Sequence, residues 1–124
     1  MFNEVSIFQS RKKQCYIASF IKTKADEDGN EINYYDKPKY HELNVQPANG
    51  STDIALYGEK VSKMYKTIVP FSEFNGVFKE GDRVYFEGVE PKNETPETYG
   101  YGANYKIVSV RPQNVGILIY FEKL

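Results

Sequence analysis

The sequence predicts an all-β protein, mainly antiparallel: a small closed or partly open β-barrel of six or seven strands with one short helix and two long loops. Three observations predict this fold. The eleven Tyr and eight Phe residues make up 15% of the chain, and aromatic rings favour strands. Segments with alternating apolar and polar residues recur along the sequence, and helical spacing interrupts them only once. Strands without intervening helices form a barrel or a sandwich.

The clearest predicted element is a β-hairpin at the end of the sequence. Two runs rich in β-branched and aromatic residues, Tyr105 to Val110 and Val115 to Phe121, flank residues 112–114, which are Pro, Gln and Asn. A short Pro/Asn segment between two such runs is typical of a hairpin turn. The second run is apolar on both faces, so we expect it near the centre of the sheet or barrel.

The upstream elements follow from the same patterns. Asp28-Gly29 predicts a tight turn between two predicted strands, at 15–23 and 31–35, because glycine adopts the positive φ that such turns require. Ser51 or Thr52 can cap a short helix that Gly58 ends. The remaining strands are predicted at 15–23, 31–35, 40–46, 63–69 and 83–88. We expect a single domain over 1–124, with 1–12 as an arm and 47–62 and 90–103 as long inter-strand loops.

Composition restricts the function classes. The formal net charge of −1 argues against a protein whose main role is to neutralise phosphates, since such proteins concentrate Lys and Arg. The single cysteine, Cys15, excludes a disulfide within the chain. The sequence contains no long apolar segment and no basic flank before one, so we expect a soluble, cytoplasmic protein that does not contact membranes.

The sequence offers no catalytic set. The single histidine, His41, lies within a predicted strand, where a packed or half-exposed side chain is more common than a general base. Cys15 begins an apolar strand and is expected to be inert filler. One His and one Cys do not supply the ligands of an ordinary zinc site. We therefore assign no catalytic residue, no metal site and no cofactor, and we predict that the protein is not an enzyme.

Tyr99 and Tyr101 are the most unusual residues of the second long loop. Both lie beside glycines in an otherwise polar segment. Exposed Tyr is common on contact surfaces, because a rigid ring provides contact area at low entropic cost. Two interpretations stay open: both rings are exposed loop contacts, or one of them folds back onto the barrel.

Four motifs in order resemble a known family. They are the turn at Asp26–Asn30, the helix end Leu56-Tyr57-Gly58-Glu59, the strand entry Gly81-Asp82-Arg83-Val84 and the strand Tyr105–Pro112 followed by an apolar strand. Over 15–124 this arrangement resembles the small head–tail joining proteins of long-tailed phages and prophages. Within that group it is most similar to the head-closure, or stopper, proteins.

The resemblance implies a structural virion assembly protein. Such a barrel forms a homo-oligomeric ring below the portal and adaptor, closes the DNA-filled head and docks the tail, and it can be monomeric when free. Its partners would be adaptor or portal and tail-terminator proteins. It would reside in the host cytoplasm during assembly and then at the head–tail junction of the virion. By position, the implied subunit or channel contacts are Asp53, Leu56, Tyr57, Glu59 and Lys60.

The resemblance also allows non-specific contact with packaged DNA. The sequence has no strongly basic channel segment, so a near-neutral loop would close the channel sterically rather than by charge. By position, 47–62 is the nearer match to a channel loop and 90–103 is the second candidate, so which of the two enters the channel stays open.

The sequence also allows other functions. An OB-type nucleic-acid-binding barrel could stack bases on its many aromatic residues. An enzyme or small-ligand binder that uses the aromatic interior would need a compact pocket with convergent polar groups. A tail-completion or minor capsid protein would share the same barrel.

Overall fold

The structure is a computed structural model that describes residues 12–74 and 78–124. Over these residues the chain forms nine strands and a short helical segment. The helix α1 spans Ser51–Tyr57, and a 3-10 helix at Gly58–Lys63 follows it directly. The strands are β1 (Lys13–Ala18), β2 (Phe20–Ala25), β3 (Glu31–Tyr35), β4 (Lys39–Leu43), β5 (Val45–Pro47), β6 (Met64–Val69), β7 (Arg83–Tyr85), β8 (Tyr105–Pro112) and β9 (Ile117–Lys123).

Seven of these strands form one antiparallel sheet in the order β4-β1-β7-β8-β9-β6-β5. Its two edge strands, β4 and β5, are consecutive in the chain and only Asn44 separates them. Because neighbouring Cα atoms are about 3.8 Å apart, Leu43 and Val45 lie within about 8 Å of each other. The sheet must therefore curl until its edges meet at this corner. The predicted all-β, partly open barrel is confirmed.

The other two strands, β2 and β3, form a separate two-stranded sheet. We call this segment, Phe20–Tyr35, the projecting hairpin. Every residue of β2 after Phe20 is exposed, so the hairpin extends away from the barrel. At its turn the Asp26 carboxylate accepts hydrogen bonds from the backbone N–H groups of Asp28 and Asn30, at 2.9 and 2.8 Å.

Strand β9 is buried on both faces, as its composition predicts. It pairs with β8 on one side and with β6 on the other. Ile119 and Phe121 face the main core, and Tyr120 packs in a second cluster on the outer face of the sheet. The main core consists of Cys15, Ile17, Val45, Val69, Phe78, Val84, Phe86, Tyr105, Ile107, Ile117, Ile119 and Phe121.

The close approach of β9 to β6 depends on Gly116. A Cβ atom at this position would lie 2.5 Å from the backbone oxygen of Val69, which is far inside van der Waals contact. Glycine is therefore required where β9 begins. Val115, predicted on the core-facing side of this strand, is instead 73% exposed, because the strand starts only at Ile117.

Two predicted strands are each divided in the structure. The segment predicted as one strand at 15–23 forms β1 and β2, because the chain leaves the barrel after Ala18 and enters the projecting hairpin. The segment predicted at 40–46 forms β4 and β5, which meet at the corner residue Asn44. The predicted arm at 1–12 lies almost wholly outside the described residues.

The predicted strand at 83–88 ends early, at Tyr85. The side-chain amide of Asn104 takes both backbone groups of the next residue: its Oδ1 accepts from the Phe86 N–H at 2.9 Å, and its Nδ2 donates to the Phe86 carbonyl at 2.8 Å. Phe86 therefore has no backbone groups left to extend the β7 ladder.

His41 lies opposite Cys15 in the β1–β4 pair. Its ring is 5.2 Å from that of Phe78, and its Nε2 atom is buried with no hydrogen-bond partner among the described residues. Burial, with a smaller contribution from the charge of Lys39, lowers the pKa of His41 below its ordinary value of 6.5.

This environment predicts a pH dependence of stability. The unfolded chain binds the His41 proton more readily than the folded chain, so the free energy of unfolding should fall as the pH drops below 6.5. Urea titrations between about pH 5 and 7.5 measure it. Because carboxylates also titrate, the control is His41→Gln, in which this part of the pH dependence should be absent. An identical pH profile for both proteins would contradict the prediction.

Candidate functional site

The first predicted contact surface is formed by α1 and the 3-10 helix. Asp53 fixes this segment to the outer face of β6 and β9. Its Oδ2 accepts hydrogen bonds from Lys66 Nζ at 2.7 Å and from the Gly50 N–H at 3.0 Å, and its Oδ1 accepts from the Tyr120 hydroxyl. Strands β6 and β9 and the N-terminus of α1 itself therefore converge on one carboxylate.

Asp53 is only 1% exposed, so the expectation that it contacts another subunit directly does not fit its position. Burial alone would raise the pKa of Asp53, but the hydrogen bonds from Lys66, Tyr120 and Gly50 outweigh it and lower the pKa below 3.8. Its contribution to stability is therefore complete above that pH and is lost as the pH falls through the lowered pKa.

The other predicted residues of this segment differ in exposure. Tyr57 is half-buried, with its ring 4.9 Å from the ring of Tyr120. Leu56 is 43% exposed, and Glu59 and Lys60 are exposed on the 3-10 helix. The structure adds Ile54, which is 52% exposed. We call Ile54, Leu56, Glu59 and Lys60 the α1 surface.

The second long loop, 90–103, is folded against the barrel. The Tyr85 hydroxyl donates to the Glu94 carboxylate, at 2.6 and 2.8 Å from its two oxygens, and accepts from the Gly100 N–H at 2.9 Å. Gly100 has φ +89°, and a Cβ there would lie 2.8 Å from the Tyr35 ring. The hydroxyl of one tyrosine therefore holds the loop at two positions six residues apart, Glu94 and Gly100.

Both loop tyrosines turn back toward the protein. Tyr99 is half-buried against Ala18, Tyr35 and Tyr85. Tyr101 donates from its hydroxyl to the Asn33 carbonyl at 2.8 Å, while 54% of the residue stays exposed. The loop thus supports the base of the projecting hairpin, and only Tyr101 offers substantial free surface.

A buried carboxylate supports the opposite side of the same base. Asp82 is fully buried, and it accepts hydrogen bonds from the N–H groups of Phe20 at 2.8 Å and Lys79 at 3.0 Å. Arg83 adds a hydrogen bond from its Nε to the Tyr35 hydroxyl at 2.9 Å. The hairpin is therefore rigidly fixed at its base and exposed at its turn.

The sequence predicted this hairpin but not its projection. The signal was present in residues 22–31, where neither face of the ribbon carries a continuous apolar row and Lys22, Lys24, Asp26, Glu27, Asp28 and Glu31 supply charge. A strand pair with no buried face cannot lie on a core.

Replacing Asp53 with Ala should lower the free energy of unfolding by about 3 kcal/mol, because the change leaves Lys66 and Tyr120 without their buried partner. Urea unfolding measures the loss. Thr52→Ala, on the same helix and exposed, is the matched control and should change stability by less than about 0.5 kcal/mol. Equal effects of the two changes would show that Asp53 is not the anchor.

Replacing Tyr101 with Phe removes its hydroxyl bond to Asn33 and should loosen the hairpin. The lost hydrogen bond is worth about 1 kcal/mol, so amide exchange in β2 and β3 should become about fivefold faster. Tyr40→Phe, which removes an exposed hydroxyl bond to Glu42, should leave that exchange unchanged. Unaltered exchange in Tyr101→Phe would refute the supporting role.

Comparison of the chain with protein-family models, with curated proteins and with solved structures gave no match. Among residues 12–74 and 78–124, no group of three or more His, Cys, Asp or Glu side chains is arranged to hold a metal ion. No helix in that part of the chain is long and apolar enough to cross a membrane. The likeness to stopper proteins therefore rests on the motifs of this sequence.

Proposed function

We propose that this chain is a structural virion assembly protein of the phage head–tail connector, of the head-closure kind. Several copies form a ring below the portal and adaptor, close the DNA-filled head and present a docking surface to the tail. The ordered motifs from Asp26 to Pro112 support this function. It also agrees with a small barrel that carries rigidly anchored, exposed elements.

The α1 surface is the observation that carries the proposal. Ile54 and Leu56 are 52% and 43% exposed on a helix that the buried Asp53 network holds in place. Apolar side chains on a fixed element are typical of the centre of a protein interface, where they are covered without an ordering cost. We infer that a neighbouring subunit covers them.

The two exposed elements lie on different parts of the barrel, which favours a ring. The projecting hairpin follows β1, whereas α1 packs on β6 and β9, which are separated from β1 by β7 and β8 in the sheet order. When each copy presents one surface to the copy ahead of it and a different surface to the copy behind it, association is head-to-tail, and it closes into a ring when the rotation allows it.

The charge of the α1 surface fits steric closure of the channel. Glu59 and Lys60 are both exposed and cancel in formal charge. Contact with packaged DNA would then depend little on salt, because few counterions are released when a neutral surface meets DNA.

The OB-type alternative loses part of its motivation. Base stacking needs aromatic rings on the surface, but Tyr105 and Phe121, on strands β8 and β9, and Phe86, directly after β7, are buried in the core. Strong, salt-sensitive binding of a single-stranded oligonucleotide would restore that alternative.

The proposal predicts an added ring when the protein is mixed with its cognate portal–adaptor complex, visible by electron microscopy. Leu56→Glu, combined with Ile54→Glu, should reduce ring formation at least about tenfold, because each buries a charge in the subunit contact. Val115→Glu, at the highly exposed turn between β8 and β9, is the matched control and should assemble normally. If the unaltered protein never associates with the complex, the proposed function is wrong.

A further inference from the structure

The early end of β7 leaves part of β1 without a partner. β4 pairs with β1 from Lys13 to Ile17, but β7 pairs with it only from Tyr16 to Ala18. Successive residues of an antiparallel strand direct their N–H and C=O groups to alternate sides. At least one of the residues 13–15 therefore directs both groups toward the missing strand, and no described residue pairs with them there.

A cavity of about 540 Å³ lies beside this unpaired edge. Lys12, Lys13 and Gln14 form one wall, and Glu87–Glu90 form the other. Aromatic rings also line the cavity: Tyr16, Tyr65 and Phe86. We call this cavity the β1 slot.

The second wall is a turn that keeps the slot open. Glu87 and Gly88 have φ values of +58° and +83°, so the chain turns away from β1 directly after Phe86. The Val89 N–H donates to the Phe86 carbonyl at 3.2 Å and closes this turn. A free strand edge beside apolar rings has the features of a site to which another strand adds.

We propose that the β1 slot receives strand β2 of the projecting hairpin from a second copy of this chain. The inference rests on the proposed function, since it identifies a second contact between neighbouring subunits of the ring, separate from the contact at the α1 surface. It is a backbone-mediated contact in which β2 extends the sheet of the next barrel beside β1.

The free edge of β2 suits this role. Among the described residues β2 pairs only with β3. The edge of β2 that faces away from β3 is occupied at the base of the hairpin, because the Phe20 N–H donates to Asp82 and the Phe20 carbonyl accepts from Lys79 Nζ. Residues 22–25 remain, and they span about 10 Å, which is enough to lie along residues 12–14 of the slot wall.

Charge selects the antiparallel orientation. The hairpin carries Lys22 near its base and the acidic turn Asp26-Glu27-Asp28 at its end. Glu90 lies at the Tyr16 end of the slot, since the two residues also line a neighbouring cavity together. In an antiparallel arrangement the acidic turn therefore meets Lys12 and Lys13, and Lys22 lies near Glu90. A parallel arrangement would place the acidic turn beside Glu90 instead, which like-charge repulsion disfavours.

The position of the two surfaces requires different copies. The hairpin follows the last residue of β1, Ala18, whereas the slot lies at the first residues of the same strand. Each barrel therefore offers its hairpin at one end of β1 and its slot at the other. Contacts of this kind are heterologous and build rings or filaments.

Cysteine cross-linking tests the contact in the purified protein at high concentration. A Gln14→Cys protein is mixed with a Lys22→Cys or a Lys24→Cys protein under mild oxidation, and disulfide-linked heterodimer is measured. The native Cys15 stays in place, since it is buried and burial raises the pKa of its thiol to about 12. The control pairs each hairpin variant with Lys63→Cys on the exposed 3-10 helix.

We expect at least about tenfold more heterodimer with Gln14→Cys than with the control for one of the hairpin positions, because residues opposite in a strand pair have Cβ atoms close enough for a disulfide. No excess over the control at either position would overturn the inference. A slot filled by another segment, such as residues 1–11 of the same chain, would give that negative result.

Charge reversal supplies an independent readout. Lys22→Glu and Glu90→Lys should each weaken self-association about tenfold, and the two changes combined should restore it to within about threefold. Glu97→Lys, exposed and outside the slot, should have no effect. Absence of rescue in the combined variant would count against the contact, since misfolding cannot explain restored association.

The outcomes separate this inference from the proposed function. If a ring forms on the portal–adaptor complex but shows no cross-link above the control, the hairpin contact is wrong and the head-closure function stands. If the cross-link forms but no ring appears on that complex, the contact stands and the head-closure function is wrong.

Discussion

The connection at Asn44 is the constraint on which the rest of the structure depends. One residue joins the two edge strands of a seven-stranded sheet, so the sheet must curl. The curled sheet has an interior that takes up large rings such as Phe86 and Phe121. Its outer face is left for α1 and for the loop at 90–103, which become the elements that other molecules can reach.

Two buried carboxylates then fix the exposed elements to the barrel. Asp53 holds α1 through Lys66 and Tyr120, and Asp82 holds the first residue of β2. The pKa of Asp53 is lowered, because its hydrogen bonds outweigh burial, whereas burial dominates and raises the pKa of Asp82. In both cases the base of the element is rigid and its outer part is free. Such pre-organisation reduces the entropy lost when a partner binds.

Local patterns determined much of the fold. The alternating apolar residues of β8 and β9, the turn at Asp28-Gly29 and the short helix before Gly58 are each encoded within a few neighbouring residues, and all three elements form. The predicted cap, Ser51 or Thr52, is wrong: Gly50 is the N-cap residue, and its N–H donates to the Asp53 carboxylate. The absence of a helical period elsewhere was enough for the all-β class. The charged residues of 22–31 also indicate a ribbon with no buried face.

Tertiary contacts decided what remained. β7 ends at Tyr85 because the side chain of Asn104, 18 residues away, takes the backbone groups of Phe86. Tyr101 turns back because a carbonyl 68 residues away accepts its hydroxyl, and Asp53 is buried because distant Lys66 and Tyr120 reach it. The sequence shows which residues can form such bonds, but the folded chain alone determines which partners meet. The β1 slot lies where β7 ends, because the positive φ values of Glu87 and Gly88 turn the chain away from β1.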